Sequence, residues 1–411
     1  MKLDILSIGD ELLIGHTLNT NAFWMANELN SIGFTIRQQT TISDEKQHIL
    51  QSVDEALKLV DVVLITGGLG PTNDDLTMPV LNEYFGGNLI KNEEVYQDIE
   101  TLVLARGFEM NENNQQQAIV PDNCKVIRNQ FGTAPGLWFE KDGKVVVAMP
   151  GVPFEMKGMI TNTVIPWLKE KYELPEIVHR MVYTQGIAES MLAEQLFDWE
   201  NNLPATIKLA YLPSYDGVKL RLSSIGNDRS ELENNITKEI EKLLLIIPAA
   251  IYSTSEQKAE GVVGELLSKN KATLATAESC TGGYIAHLIT SVSGSSEYYK
   301  GSIISYANEI KMNELAVLES DINQYGAVSQ QVVEQMVKGV KTIMKTTYAL
   351  ATSGIAGPTG GSEEKPVGTV WIALATPKGV ISKKYSFGKN RERNILKASA
   401  TALNMLREEL L

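Results

Sequence analysis

At the start of this chain, short apolar runs alternate with amphipathic helical patterns, and that alternation limits the possible folds more than any other feature. Strand-like runs at 3–8, 34–40 and 62–66 are separated by helical stretches at 22–31 and 45–59. Each run gives way to glycine or a polar cluster, the order of a parallel α/β sheet whose ligand loops gather at the strand C-termini. A further strand at 145–148 leads into Met149-Pro150-Gly151-Val152-Pro153, after which 154–171 carries a helical pattern.

The same alternation returns from residue 259. A helix to 269, a strand at 273–277 and a helix from Thr281 are followed by a strand at 302–306 and a helix at 330–344; strands at 348–352 and 370–375 and a closing helix at 393–408 complete it. Between the two regions, strands at 179–185, 207–211 and 219–224 with helices at 188–198 and 231–245 suggest a small α+β module. It holds no reactive constellation and reads as a spacer or oligomerisation domain. The expected fold is therefore α/β, with two distinct α/β domains of parallel or mixed sheets joined by a small α+β module. The domains are expected at 1–172, 176–252 and 255–411. A chain of 411 residues, 43% of them apolar, has the core to support that division.

A formal net charge of −13 with no segregated basic run opposes contact with a polyphosphate backbone, so nucleic acid is not an expected partner. No window approaches the roughly 18–20 uncharged apolar residues that cross a bilayer. The chain opens on a strand pattern rather than a charged leader, and its two cysteines, Cys124 and Cys280, form no disulfide framework. A cytoplasmic protein with no membrane partner is expected. Its four histidines, His16, His48, His179 and His287, sit at no zinc-binding spacing. That scarcity also constrains catalysis in the last third, where His287 is the sole imidazole and Lys, Tyr or a carboxylate must be considered as a base.

The strand at 273–277 runs into Glu278-Ser279-Cys280-Thr281-Gly282-Gly283 and then an apolar helix. Ser279 therefore falls at a strand-to-helix turn, where unpaired backbone N–H groups can hold a phosphate or a developing oxyanion. Ser279 or Thr281 could equally be a simple N-cap. Cys280 is a second candidate nucleophile without a visible activating partner. Two more segments, Tyr306-Ala307-Asn308-Glu309-Ile310-Lys311 and Thr352-Ser353-Gly354-Ile355-Ala356-Gly357, end strands that would approach the same sheet edge. A desolvated lysine there can serve as general base for a serine.

In the first domain, Thr66-Gly67-Gly68-Leu69-Gly70-Pro71-Thr72 follows a strongly apolar strand, and its glycines can bring N–H groups against a phosphate. Asp74 and Asp75 would supply hard oxygen ligands for Mg²⁺ or a similar ion. Simpler roles stay open, with Asp75 as a helix cap, Glu11 as a solvated turn residue and Asn21 as an N-cap.

These segments together resemble the CinA (competence/damage-inducible) family over essentially the full chain. The resemblance implies a C-terminal nicotinamide mononucleotide amidohydrolase in which Ser279 is the nucleophile and Lys311 its base. It also implies that Tyr306 lines the nicotinamide site, with Cys280, Thr281, Gly282, Ser353 and Gly354 near the substrate. A late arginine then meets the phosphate, and Arg393 is chosen over Arg391. The glycine loop, with Glu11 in Gly9-Asp10-Glu11, Asn21 and the segment 150–155, is similar to the molybdopterin-binding fold of the MoaB/Mog kind. In that family the domain is a metal-dependent ADP-ribose pyrophosphatase, here with Gly67, Gly68, Gly70, Thr72, Glu11 and Asn21 on the substrate and Asp74 and Asp75 on the metal. The deamidase should need no cofactor. The implied partners are small-molecule nucleotides and a second copy of the chain in a homodimer. A non-catalytic partner of the DNA-uptake machinery and a molybdopterin-binding module are the competing functions.

Overall fold

The computed structural model describes residues 1–72 and 74–411. It divides into two compact units, Met1–Val178 with Ile225–Ser230, and His179–Ser224 with Glu231–Leu411.

The first unit carries strands β1 (Lys2–Ile8), β2 (Thr35–Ile42) and β3 (Val62–Thr66), then a short pair β4 (Leu89–Lys91) and β5 (Ile119–Pro121). It continues with β6 (Cys124–Ile127), β7 (Gly136–Lys141) and β8 (Lys144–Met149). The main sheet has the order β2-β1-β3-β8-β7-β6. Its first four strands are parallel, and β7 and β6 are added antiparallel. Every residue of β3 is buried, because a central strand covered on both faces must be apolar throughout. Alternate side chains then feed two cores, with Leu3, Ile5 and Leu64 meeting Met25 and Leu29 on one face and Leu6, Val63 and Ile65 meeting Ile49 and Val53 on the other.

The C-terminal ends of β1, β3 and β8 lie side by side, and their loops are tied together. Thr66 Oγ1 donates to Pro150 O (3.0 Å), and Gly67 N donates to Met149 O (3.0 Å). Apart from the helix that Asp75 could cap, the sequence pattern yields little between 76 and 144; the structure fills that stretch with β4 to β7 and helices Thr77–Phe85, Glu93–Ala105 and Glu112–Gln116.

In the second unit, strands β9 (Glu176–Thr184), β10 (Ile207–Pro213), β11 (Val218–Gly226) and β12 (Ile251–Ser253) form a four-stranded sheet of order β10-β11-β9-β12. Its helices Glu189–Asn201 and Arg229–Ile246 are joined by a bond from Trp199 Nε1 to Glu239 Oε2 (3.0 Å). This module packs on the C-terminal third. Arg407, buried on the last helix, donates to Ala249 O (3.0 Å) and Ile251 O (3.3 Å), and Gln185 Nε2 donates to Ala400 O (2.9 Å).

The C-terminal third is built on β13 (Leu274–Glu278), β14 (Tyr299–Ile304), β15 (Tyr348–Gly354), β16 (Thr369–Ala375) and β17 (Val380–Ser386), in the order β14-β13-β15-β16-β17. Strands β14, β13 and β15 are parallel, while β16 and β17 run antiparallel. A parallel neighbour needs a crossover of a dozen residues or more, and the few residues between β16 and β17 permit only a hairpin. One face presents small side chains, Ala275, Ala277, Ala349, Ala351 and Ala373, to the helix Gln330–Met344. The other presents Leu274, Leu350, Ile372 and Leu374 to helices Ala259–Lys269 and Arg391–Leu410. Among the described residues no helix is long and apolar enough to cross a membrane.

Candidate functional site

Ser279 follows β13 directly. Its N–H donates to Thr352 O on β15 (3.0 Å), and Glu278 O accepts from Ser305 N beyond β14 (2.8 Å), so the serine stands on the C-terminal edge of the parallel strands. The expected helix from Thr281 begins later. A turn closed by Gly282 N to Ser279 O (3.1 Å) runs to Gly283, whose φ of 96° suits glycine, and the helix spans Tyr284–Thr290.

The first-turn amides are not free for a ligand, as the sequence had suggested. The fully buried Glu278 side chain accepts from Gly283 N (3.0 Å), Ile285 N (3.1 Å), Ala286 N (2.8 Å) and Thr281 Oγ1 (2.7 Å). A carboxylate in this position satisfies donors that every helix leaves unpaired at its start. The amides of Cys280 and Thr281 are the ones that reach no protein acceptor among the described residues. Glu278 shapes the turn that carries Ser279, and an acid closing a strand just ahead of a helix is its signal in the sequence.

Lys311, on the helix Asn308–Leu315, places Nζ 3.2 Å from Ser279 Oγ. Nζ also reaches Ser305 O (2.6 Å) and Tyr306 O (3.3 Å), and the residue is 1% exposed. Burial holds its pKa below the ordinary lysine value. Nζ donates to all three oxygens; on losing a proton it would keep N–H bonds to the two carbonyls and turn its lone pair to the Ser279 hydroxyl. His287 packs instead against the Tyr284 ring. Cys280 points into the apolar core, and burial pushes its thiol up to about 12, so it carries no thiolate near neutral pH.

Tyr306 is 61% exposed beside this pair, and its hydroxyl accepts from Arg391 Nη2 (3.0 Å), whose Nη1 donates to Gly357 O (2.9 Å). Arg391, not the chosen Arg393, therefore reaches the site. The last helix starts at Arg391, and two residues on, at roughly 100° per residue, Arg393 is turned away and exposed. Ser353 is buried and donates to Ala327 O (2.7 Å), and Gly354 closes β15 where a Cβ would lie 2.7 Å from Val370. Both brace the edge. Thr281 Oγ1 likewise turns inward, 2.7 Å from Thr352 Oγ1, whereas Gly282 borders open space.

In the first unit, the loops after β1, β3 and β8 surround a cleft of about 400 Å³ that includes Glu11, Asp44, Gly67, Gly68, Gly70 and Glu155. Gly67 is required there, since a Cβ would sit 2.2 Å from Ile8 O. Asn21 does not cap its helix. Asn19 does, accepting from Ala22 N (3.1 Å), and Asn21 Nδ2 bridges Gly151 O (2.7 Å) and Thr66 Oγ1 (3.2 Å). Glu155 is nearly buried and accepts from Asn129 Nδ2 (2.7 Å).

The carboxylates divide in role. Asp75 Oδ2 accepts from Thr72 N (2.9 Å) and Thr72 Oγ1, so one of its oxygens braces its own loop while the residue borders the cleft. Asp74 is held below the usual carboxylate range by the Thr72 hydroxyl. Asp44, just past the end of β2, has its pKa raised by burial and by the like charges of Asp10, Glu11 and Asp74, against the opposing bond from Asp10 N (3.1 Å). This concentration of negative charge suits a cation. Among the described residues no three His, Cys, Asp or Glu side chains form a metal cage. What fits is an ion that takes one or two carboxylates and completes its shell with water and substrate phosphate, as Mg²⁺ does. Asp44 escaped the sequence reading because its strand carries no distinctive motif.

Three family models match the chain. They are the CinA C-terminal domain over 256–410, the probable molybdopterin binding domain over 4–170, and the damage-inducible protein CinA KH domain over 179–253, the region expected as a spacer. The CinA-like protein of Flavobacterium psychrophilum is 49% identical across 100% of this chain and 99% of its own length. That of Cytophaga hutchinsonii is 44% identical across 99% and 97%. The crystal structure of competence/damage inducible protein CihA from Agrobacterium tumefaciens, 35% identical, covers 36% of this chain and 94% of its own, with a TM-score of 0.35. Identity at this level from end to end, with all three segments matched, places the chain in the CinA family.

Proposed function

We propose that the chain is a two-site hydrolase of pyridine-nucleotide recycling. Ser279 deamidates nicotinamide mononucleotide, and the N-terminal cleft hydrolyses the pyrophosphate of ADP-ribose. The observation that carries the first half is the buried Lys311 amine, 3.2 Å from Ser279 Oγ with its other bonds taken by carbonyls.

In this reaction Ser279 Oγ attacks the carboxamide carbon while its proton passes to Lys311 Nζ. The Cys280 and Thr281 amides receive the oxyanion of the tetrahedral intermediate. Collapse breaks the C–N bond, and Lys311 returns the proton to the leaving ammonia, which leaves an ester on Ser279. Water, deprotonated by the same amine, then cleaves the ester to nicotinate mononucleotide and free serine. Tyr306 offers a ring face to the nicotinamide, and Arg391 offers its guanidinium to the 5′-phosphate.

In the N-terminal cleft, amides of Gly68 and Gly70 orient the pyrophosphate, and Glu155 takes the proton of the attacking water. Asp44 and Asp74 would hold a divalent ion there, and such an ion would neutralise charge on the phosphates. The products are AMP and ribose 5-phosphate.

The test is to incubate the intact chain with each substrate, measuring ammonia from nicotinamide mononucleotide and AMP from ADP-ribose. Failure of the folded protein to release ammonia, or release that persists in Ser279→Ala, ends the deamidase reading.

A further inference from the structure

The guanidinium of Arg391 is held at two points. Nη2 donates to the Tyr306 hydroxyl (3.0 Å) and Nη1 to Gly357 O (2.9 Å). Two of its five N–H donors are so taken, and three are left for a ligand. The Tyr306 hydroxyl sits on an exposed side chain, whereas Gly357 O belongs to the backbone. The placement of the arginine therefore rests on whatever fixes the loop that follows β15.

One buried side chain does so. Asn394, 2% exposed near the start of the helix Arg391–Leu410, donates from Nδ2 to Ala356 O (2.9 Å) and to Gly388 O (3.0 Å). Ala356 immediately precedes Gly357, and Gly388 lies three residues ahead of Arg391. A single amide group thus ties the acceptor of the guanidinium to the turn that leads into the arginine itself. The backbone of Gly368 lies between the same two segments: its N–H donates to Ile355 O (2.8 Å), its carbonyl accepts from Phe387 N (3.0 Å), and a Cβ on it would sit 2.2 Å from Gly388 O.

The arrangement is unfavourable at one atom. Only the NH₂ end of a carboxamide can meet two carbonyls, and Asn394 Oδ1 is left buried with no hydrogen-bond partner among the described residues. Leucine, of similar volume, would carry no such orphan atom but would leave both carbonyls without this donor.

We propose that Asn394 is the positioning residue of the phosphate subsite, aligning the Arg391 fork through Ala356 and Gly388 so that the chain selects a mononucleotide over the corresponding nucleoside. This deepens the deamidase reading and rests on it for the identity of the ligand. Asn394 itself touches no substrate.

The test measures equilibrium binding to the full chain of nicotinate mononucleotide, the product of the proposed reaction, and of nicotinate riboside, which lacks only the phosphate, so that it does not depend on turnover. The wild type should prefer the mononucleotide by about tenfold or more, as expected of a fork that binds phosphate through charged hydrogen bonds. Asn394→Leu should weaken the mononucleotide by about fivefold or more and leave the riboside within about twofold, because a misplaced fork affects only the phosphate. Asn394→Ala, which makes room for water at the two carbonyls, should act in the same direction and serves if the leucine variant does not fold. In an Arg391→Ala chain the same change at Asn394 should have no further effect on the mononucleotide, the non-additivity expected of two residues that act as one. The proposal is overturned if the wild type shows no preference, if both ligands weaken in parallel, or if the two substitutions add. An Asn394-dependent preference in a chain that releases no ammonia from nicotinamide mononucleotide would uphold the positioning role and end the deamidase reading. Ammonia release with a preference that ignores Asn394 would do the reverse.

Discussion

The serine turn and the glycine-loop cleft sit at equivalent edges of two parallel sheets, yet they are prepared for chemistry in opposite ways. At the serine turn, Glu278 and Lys311 are buried at 0% and 1% exposure, and Ser279 at 9%, each already paired with its neighbours. In the cleft, Asp10, Glu11 and Asp74 are exposed, Asp44 is half-buried, and the four carry like charge with no cation among them. The first site desolvates one amine and has its side chains already bonded to one another. The second is an electrostatic frame that its ligand and metal must finish.

The sharpest way to break that contrast is to silence each half alone. Lys311→Met should lower ammonia release from nicotinamide mononucleotide by about 10³-fold or more and leave ADP-ribose hydrolysis intact. Chelation by EDTA, or Asp44→Asn, should do the opposite. Loss of both activities in either folded variant would mean that the two sites are coupled. A smaller effect is expected from Glu278→Gln. This change keeps the volume but turns an NH₂ toward backbone donors, so kcat should fall by roughly 10- to 100-fold and stability by about 1–3 kcal/mol, read by denaturant unfolding. If stability drops without any change in kcat, the carboxyl only holds the helix. Smaller still, Arg391→Lys should raise KM for nicotinamide mononucleotide by about tenfold through loss of the planar fork, while Arg393→Ala should leave it unchanged. The reverse order would restore Arg393 to the site. At the bottom of the range, Cys280→Ala should retain deamidation within about twofold, since a thiol pushed up to about 12 is no nucleophile. Complete loss in a folded Cys280→Ala protein would move the nucleophile to the thiol.

The central parallel strands were legible because burial on both faces demands apolar runs, as in β3 and β13. The antiparallel additions were not. Direction depends on the connection, and β6 and β7 fall in a stretch whose pattern discloses little. Ser279, Tyr306 and Lys311 could be named from their segments, but their meeting depends on the helix Asn308–Leu315 folding back across the end of β13, which no local spacing encodes. The choice between Arg391 and Arg393 turned on where one helix starts, a boundary set by the Asn390 cap. Asp74 and Asp75 look alike as adjacent acids in sequence, and only the structure shows the Thr72 amide donating to Asp75 Oδ2.

Folding this chain weakens the hold of one lysine on its proton. In the unfolded state Lys311 keeps its ordinary value near 10.5, whereas in the native state burial lowers it. Between the two values the unfolded chain binds one more proton, so native stability climbs as pH rises, by at most about 1.4 kcal/mol per pH unit, and levels off above the ordinary lysine range. Acidification thus pulls on the fold at the amine beside Ser279. Lys311→Met should be the more stable protein at neutral pH and should lose that slope, which melting temperatures taken across pH 6–10 would reveal.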